Sequence, residues 1–250
     1  MAGTGTLGAR KGAVLRAVVS DHIRTGEPVG SGAVVRRYRL AVSPATVRND
    51  MAALEEMGYL VQPHTSAGRI PTDLGYRFYV DALPRRPALT DQQRKVISAF
   101  FVHPPAETGE ALRGTAVLLS KVTRYGAVTQ PPDAHHVFIG GAANIAAEET
   151  FERRETVRRL FELLEEHEED VLTALRSMID REGVTVGIGR ENPFPAMREA
   201  SLVVAAYRVR GRPAGTIAVI GPTRMHYPNA ISAVESVSRK LSHLVETLAG

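Results

Sequence analysis

Apolar residues recur at helical spacing through the first sixty positions. Leu15, Val18, Val19 and Ile23 share one face of a helix expected over about 10–24, closed by Gly26 and Pro28. Ala33, Val34 and Val35 supply the bulk of a short helix at about 32–38. Ser31 is its expected cap, and Arg36, Arg37 and Arg39 make its end basic. Ser43 and Pro44 open a third helix, because the hydroxyl can cap it and proline at the first helical position has no N–H to lose. Val47, Met51 and Leu54 repeat at i, i+4 and i+7 as its buried stripe, and Gly58 stops it. The period then changes. Tyr59 to Gln62 reads as a strand, His64 to Gly68 as a turn of small polar residues, and Arg69 with Ile70 as a returning strand.

Proline-bearing breaks fall at 84–90 and 129–136. Between them, Thr90 and Gln93 form a capping box for a helix at about 91–102, and Leu112, Ala116 and Leu119 mark another at about 106–122. Beyond them, Val137 to Ile139 reads as a short strand. A charged helical stretch over 148–181 carries a seam of Val157, Leu160, Leu164, Val171, Leu175 and Met178. That seam suits either its own core or a helix–helix contact with a second chain. Val184 to Ile188 is a further strand, and the runs 201–209 and 214–220 flank a hairpin signal at Arg210–Pro213. A last helix opens at Pro228 and carries Ile231, Val234, Val237, Leu241 and Leu244. Strands covered by helices make an α+β layer. The expected division is residues 1–83, a linker and helical connection at 84–105, and a body over 106–250.

Charge distinguishes the two ends. The 250 residues carry a net +4, yet the first 90 hold 12 Lys/Arg against 7 Asp/Glu, so the excess lies there. A basic module on a neutral body suits a polyanionic partner. Cysteine is absent, which excludes disulfides, thiolate metal sites and a cysteine nucleophile. No apolar run approaches the ~20 residues that span a bilayer. The first twenty residues lack a secretory pattern, so the expected location is cytoplasmic.

The third helix is the candidate reader. Opposite its stripe lie Ala45, Asn49 and Ala52, flanked by Thr46 and Arg48. Small residues permit close approach, and the amide, hydroxyl and guanidinium can bond base edges in a major groove. Two short helices joined by a turn, followed at once by a hairpin, have the order of a winged helix-turn-helix. The hairpin tip offers His64, Thr65, Ser66 and Arg69 to phosphates or a minor groove. Arg36, Arg37, Arg39, Arg69 and Arg77 are the expected phosphate neutralisers, with Ser31 beside them.

The segments TGEPVGS at 25–31, VSPATVRNDMAALEEMGYL at 42–60 and QPHTSAGRIPTDLGYRFYVD at 62–81 resemble the bacterial heat-inducible transcription repressor family, HrcA. LSKVTRYGAV at 119–128, GGAANIA at 140–146, IGRENPF at 188–194 and the stretch 201–231 continue the likeness over nearly the whole chain. The resemblance implies an N-terminal winged helix, a GAF-like α/β domain and a dimerising domain inserted into the latter. It further implies a repressor of chaperonin and DnaK-type operons. Such a repressor binds the inverted-repeat CIRCE operator as a homodimer, leaves it on heat shock and is modulated by the chaperonin. Carried over, the recognition helix spans 43–57 from Ser43, with Thr46, Arg48 and Asn49 facing bases, and the wing spans about 62–71. Two departures stand out. Gly32 occupies a place where the family often has a basic residue. A block the size of a small domain is missing between about 127–132 and 136–144, which shortens the GAF-like part and removes much of the dimerising domain.

Other motifs carry less. GTGTLG at 3–8 lacks the preceding strand of a dinucleotide-binding loop. The adjacent His135 and His136 would point to opposite faces of a strand, the remaining histidines lack metal-ligand spacing, and EEHEED at 165–170 reads as a solvated helix face. Arg224 in GPTRM at 221–225 suits a turn contact better than an anion site. No nucleophile with a base can be assembled, so neither an enzyme nor a cofactor is expected. Two alternatives to a repressor stay open: a ligand-sensing regulator, and a chaperonin-interacting protein with weakened DNA binding.

Overall fold

The computed structural model describes residues 7–39, 41–84, 89–131, 137–146, 162, 168–179, 183–192 and 197–249. The chain divides into two compact units, Met1–Leu83 and Pro84–Gly250.

In the first unit, α1 (Ala9–Thr25) buries Val14, Leu15, Val18 and Val19 and ends at Gly26, whose φ of 74° suits a residue without Cβ. In α2 (Ser31–Tyr38) Val34 is fully buried. Here the expectation for Ser31 fails: Gly30 is the cap, Ser31 is the first helical residue, and no side chain caps this helix. The third helix, α3 (Pro44–Glu56), starts as its sequence dictates, with the Ser43 Oγ accepting from the Thr46 N–H at 3.1 Å. Its stripe of Val47, Met51 and Leu54 is at most 1% exposed. Burying such a side chain contributes about 1.5–3 kcal/mol. A two-residue hairpin follows, β1 (Leu60–Val61) antiparallel to β2 (Ile70–Pro71), and then α4 (Asp73–Asp81), capped by Thr72.

The hairpin has a third neighbour. Val29 and Arg69 exchange backbone hydrogen bonds at 2.9 and 3.0 Å. Gly68 makes that approach possible, since a Cβ there would lie 2.5 Å from the Val29 carbonyl.

The second unit opens with α5 (Asp91–Val102), carrying the Thr90–Gln93 capping box, and α6 (Thr108–Thr123). Within the expected helical connection, α5 buries Ile97 and packs on α6 and on the last helix, α9 (Tyr227–Ala249). Five strands form one antiparallel sheet. They are β3 (Gly126–Thr129), β4 (Phe138–Gly140), β5 (Val184–Ile188), β6 (Ala200–Val209) and β7 (Arg212–Pro222), in the order β4-β3-β7-β6-β5. Strand β3 was not expected, and β4 starts one residue late. Among the described residues between β4 and β5 are the helices α7 (Ala142–Ala146) and α8 (Glu168–Ser177).

Alternation divides the sheet into two faces. Val128, Leu202, Val204, Ala218 and Ile220 form a core with Val171 and Leu175 of α8 and with Met197. The intervening Val203, Ala205, Ile217 and Val219 are buried on the other face, where α6 and α9 pack. Within the described part of the charged stretch, the seam residues Val171 and Leu175 thus face their own sheet. Val157, Leu160 and Leu164 lie outside the described residues, as do His135, His136 and the first half of EEHEED, 165–167. Thr129 pairs with Phe138, so β3 and β4 are antiparallel neighbours on either side of the place where the sequence puts the missing block.

Candidate nucleic-acid interface

Three pieces of the first unit converge on one groove of about 450 Å³. Gly30, Ser31 and Gly32 come from the start of α2, Arg48 and Met51 from α3, and Gln62, Thr65, Ser66, Ala67, Gly68 and Arg69 from the hairpin. Five of the residues singled out in the sequence meet here: Ser31, Arg48, Thr65, Ser66 and Arg69.

The helix that carries Arg48 is held from below and behind. Its apolar stripe seats on the core, and its buried Asp50, 3% exposed, takes two hydrogen bonds from Arg10 of α1, at 2.7 and 3.0 Å. The hydrogen bond to Asp50, and then its charge, raise the Arg10 guanidinium above its ordinary pKa. A second buried carboxylate, Asp21 of α1, pairs with Arg24 at 2.8 Å and with Arg37 of α2. These pairs orient α2 and α3 on α1. Nothing in helical periodicity pointed to Arg10–Asp50 or Asp21–Arg37, because each joins residues far apart in sequence.

The predicted contacts fall into two groups. Arg48 and Asn49 are exposed and make no side-chain hydrogen bond or ion pair among the described residues. Arg36 and Arg39 are exposed on and just after α2, and His64, Thr65 and Ser66 are exposed on the hairpin tip. The others are already engaged. Ser43 and Thr46 bond each other through their hydroxyls at 3.0 Å while Ser43 caps the helix. Arg37 is tied to Asp21, Arg77 pairs with Asp81 at 3.2 Å, and Arg69 pairs with Glu55 at 2.9 Å. Arg77 lies on α4, which packs on α1 and β2, and it does not line the groove.

Glu55 and Gln62 were missed in the sequence. One Glu55 carboxylate oxygen accepts the Gln62 N–H at 3.1 Å and the other accepts from Arg69 Nε. The Gln62 side-chain amide donates to the carbonyls of Thr65 and Ala67, at 3.0 and 2.9 Å, and so shapes the tip. Among the described residues no cluster of acidic and histidine side chains could hold a metal ion, and no helix is long and apolar enough to cross a membrane.

Residues 129–231 match the family model of the HrcA protein C terminal domain. The heat-inducible transcription repressor HrcA of Desulforamulus reducens is 30% identical over 340 aligned positions, covering 96% of this chain and 97% of the relative. The repressor of the same name from Pelotomaculum thermopropionicum is 31% identical, with the same coverage. An alignment of 340 positions against 250 residues leaves at least 90 positions of each relative without a counterpart here. A crystal structure of a hypothetical protein, 21% identical, shares the fold with a TM-score of 0.79 over 97% of this chain and 98% of its own. This chain belongs to the heat-inducible transcription repressor family, HrcA.

Proposed function

We propose that this protein represses heat-shock operons of the chaperonin and DnaK type by binding an inverted-repeat CIRCE operator, and leaves it on heat shock. In this reading the first unit is a winged helix-turn-helix, with α3 as recognition helix and the β1–β2 hairpin as wing. The second is a GAF-like domain shortened by the absent block. The observation that carries the reading is the exposed Arg48–Asn49 edge, without a side-chain partner among the described residues, on a helix whose opposite face is buried and whose Asp50 and Glu55 are held by hydrogen bonds. A guanidinium can take guanine O6 and N7, and an amide adenine N6 and N7. Arg36, Arg39 and the Ser31 and Gly32 N–H groups at the start of α2 would meet phosphates, since those two N–H groups precede the first backbone hydrogen bond of the helix, from Ala33 to Gly30.

An inverted repeat presents two half-sites, so a homodimer would place one α3 on each. The protein would work in the cytoplasm, with the chaperonin as modulator. The test is binding to a CIRCE-type duplex and to a scrambled duplex at one physiological salt concentration, with the mass of the complex measured by light scattering. A dimer that prefers the operator by about 10³-fold or more supports the proposal. Equal, strongly salt-dependent affinity for both duplexes rules it out.

A further inference from the structure

We propose that Glu55 is a positioning residue that sets the angle of the wing against the recognition helix, with Arg69 acting from inside the wing instead of on DNA. This rests on the DNA-binding reading above. The hairpin cannot hold itself: its strands are two residues each and share two residue pairs. Isolated two-stranded hairpins are marginal in water even when longer. Outside anchors must fix it, and three are present. Thr72 ties the base of the hairpin to the carbonyls of Gly58 and Tyr59. Val29 pairs with Arg69 through the backbone. The third anchor is Glu55, which joins the hairpin to α3 itself.

Glu55 stands seven residues after Arg48, two turns along the same face of the helix. Its carboxylate takes one hydrogen bond from each side of the hairpin, from the Gln62 N–H and from Arg69 Nε. Gln62 in turn bridges to Thr65 and Ala67 at the tip. A single carboxylate thus connects the base-facing edge of α3 to the residues that line the other wall of the groove. Arg69 faces the same groove, but its side chain is only 15% exposed and its charge is met by Glu55. A residue placed to neutralise a DNA phosphate would keep that charge uncompensated.

The experiment compares Glu55→Ala, Glu55→Gln, Arg69→Ala and the Glu55→Ala/Arg69→Ala pair in the full chain. Two readouts are used: operator affinity against salt, and hydrogen exchange of the segment 60–70 without DNA. Glu55→Ala is expected to weaken operator binding about tenfold with the salt slope unchanged. Glu55→Gln keeps an acceptor for the Gln62 N–H and should fall between it and the wild type. Arg69→Ala should match Glu55→Ala, and the pair should be no worse than either alone. Exchange in 60–70 should quicken in Glu55→Ala while α1 and α3 keep their protection.

Tighter or unchanged operator binding by Glu55→Ala overturns the proposal. So does a salt slope reduced by about 0.9, one phosphate's worth, in Arg69→Ala. A wild type that does not distinguish operator from scrambled DNA sinks the DNA reading alone. Exchange then decides the anchor by itself, and unaltered exchange in 60–70 rejects it.

Discussion

The first unit buries charge where the second buries hydroxyls and amides. Among the described residues, the buried charged side chains are Asp21 and Asp50, and both orient helices of the first unit through arginines. In the second unit Thr115 and Thr123 bond carbonyls of their own helix, and Thr129 bonds the Leu112 carbonyl at 2.9 Å. Asn192 donates to the carbonyls of Gly189, Met197 and Ala200, and Ser201 meets Tyr227. The contrast follows from architecture. A sheet centred on two long paired strands, β6 and β7, fixes its geometry by register, and apolar layers on both faces do the rest. Short helices around a thin core can slide over one another. Ion pairs add little net stability there, but breaking one leaves a charge without its partner.

That contrast can be broken or sharpened by mutation. The largest effect is expected from cavities, which should not tell the units apart. Leu54→Ala in α3 and Leu202→Ala in β6 should each cost about 2–5 kcal/mol in denaturant unfolding. The next effect should separate them. Asp21→Asn strips a charged acceptor from Arg24 and Arg37 and should cost about 1.5–3 kcal/mol, nearer the lower end because both arginines are half-exposed. Thr129→Val removes a neutral bond and should cost about 0.5–1.5 kcal/mol. Unfolding at low and high salt checks the difference, since only the first loss should shrink as salt rises.

Arg48→Ala belongs to function, not stability. It should remove about 1–3 kcal/mol of discrimination at one base pair per half-site while stability stays within about 0.5 kcal/mol. Arg36→Ala should be the mildest change. It should lower the salt slope of binding by about 0.9 without altering base preference, read from a salt titration.

Much of this was legible where local chemistry and tertiary demand agree. Ser43, Pro44 and the Val47–Met51–Leu54 stripe define α3 within fourteen residues, and Thr90 with Gln93 marks the start of α5. The β6–β7 hairpin announced itself through β-branched runs around a turn in which Arg210 and Gly211 both take positive φ. Strand β3 was not legible, because its four residues carry little pattern of their own and sit between two partners, β4 and, some ninety positions away in the chain, β7. Ser31 looked like a cap because serine favours that place, but the chain enters α2 one residue earlier, at Gly30. For the site, exposure of Arg48 and Asn49 followed from the opposite stripe. The commitment of Arg37, Arg69 and Arg77 to carboxylates did not, since composition counts an arginine as positive whatever it faces.

The most direct test of α3 as the reader is a base-by-base profile. Affinity is measured at fixed salt for the wild type and Arg48→Ala against every single-base-pair change in one half-site. If α3 reads the operator, Arg48→Ala loses preference at a single position, a G·C pair, and retains the rest of the profile and the salt slope. If the variant keeps the complete wild-type profile, Arg48 reads no base and α3 does not lie in the major groove as proposed.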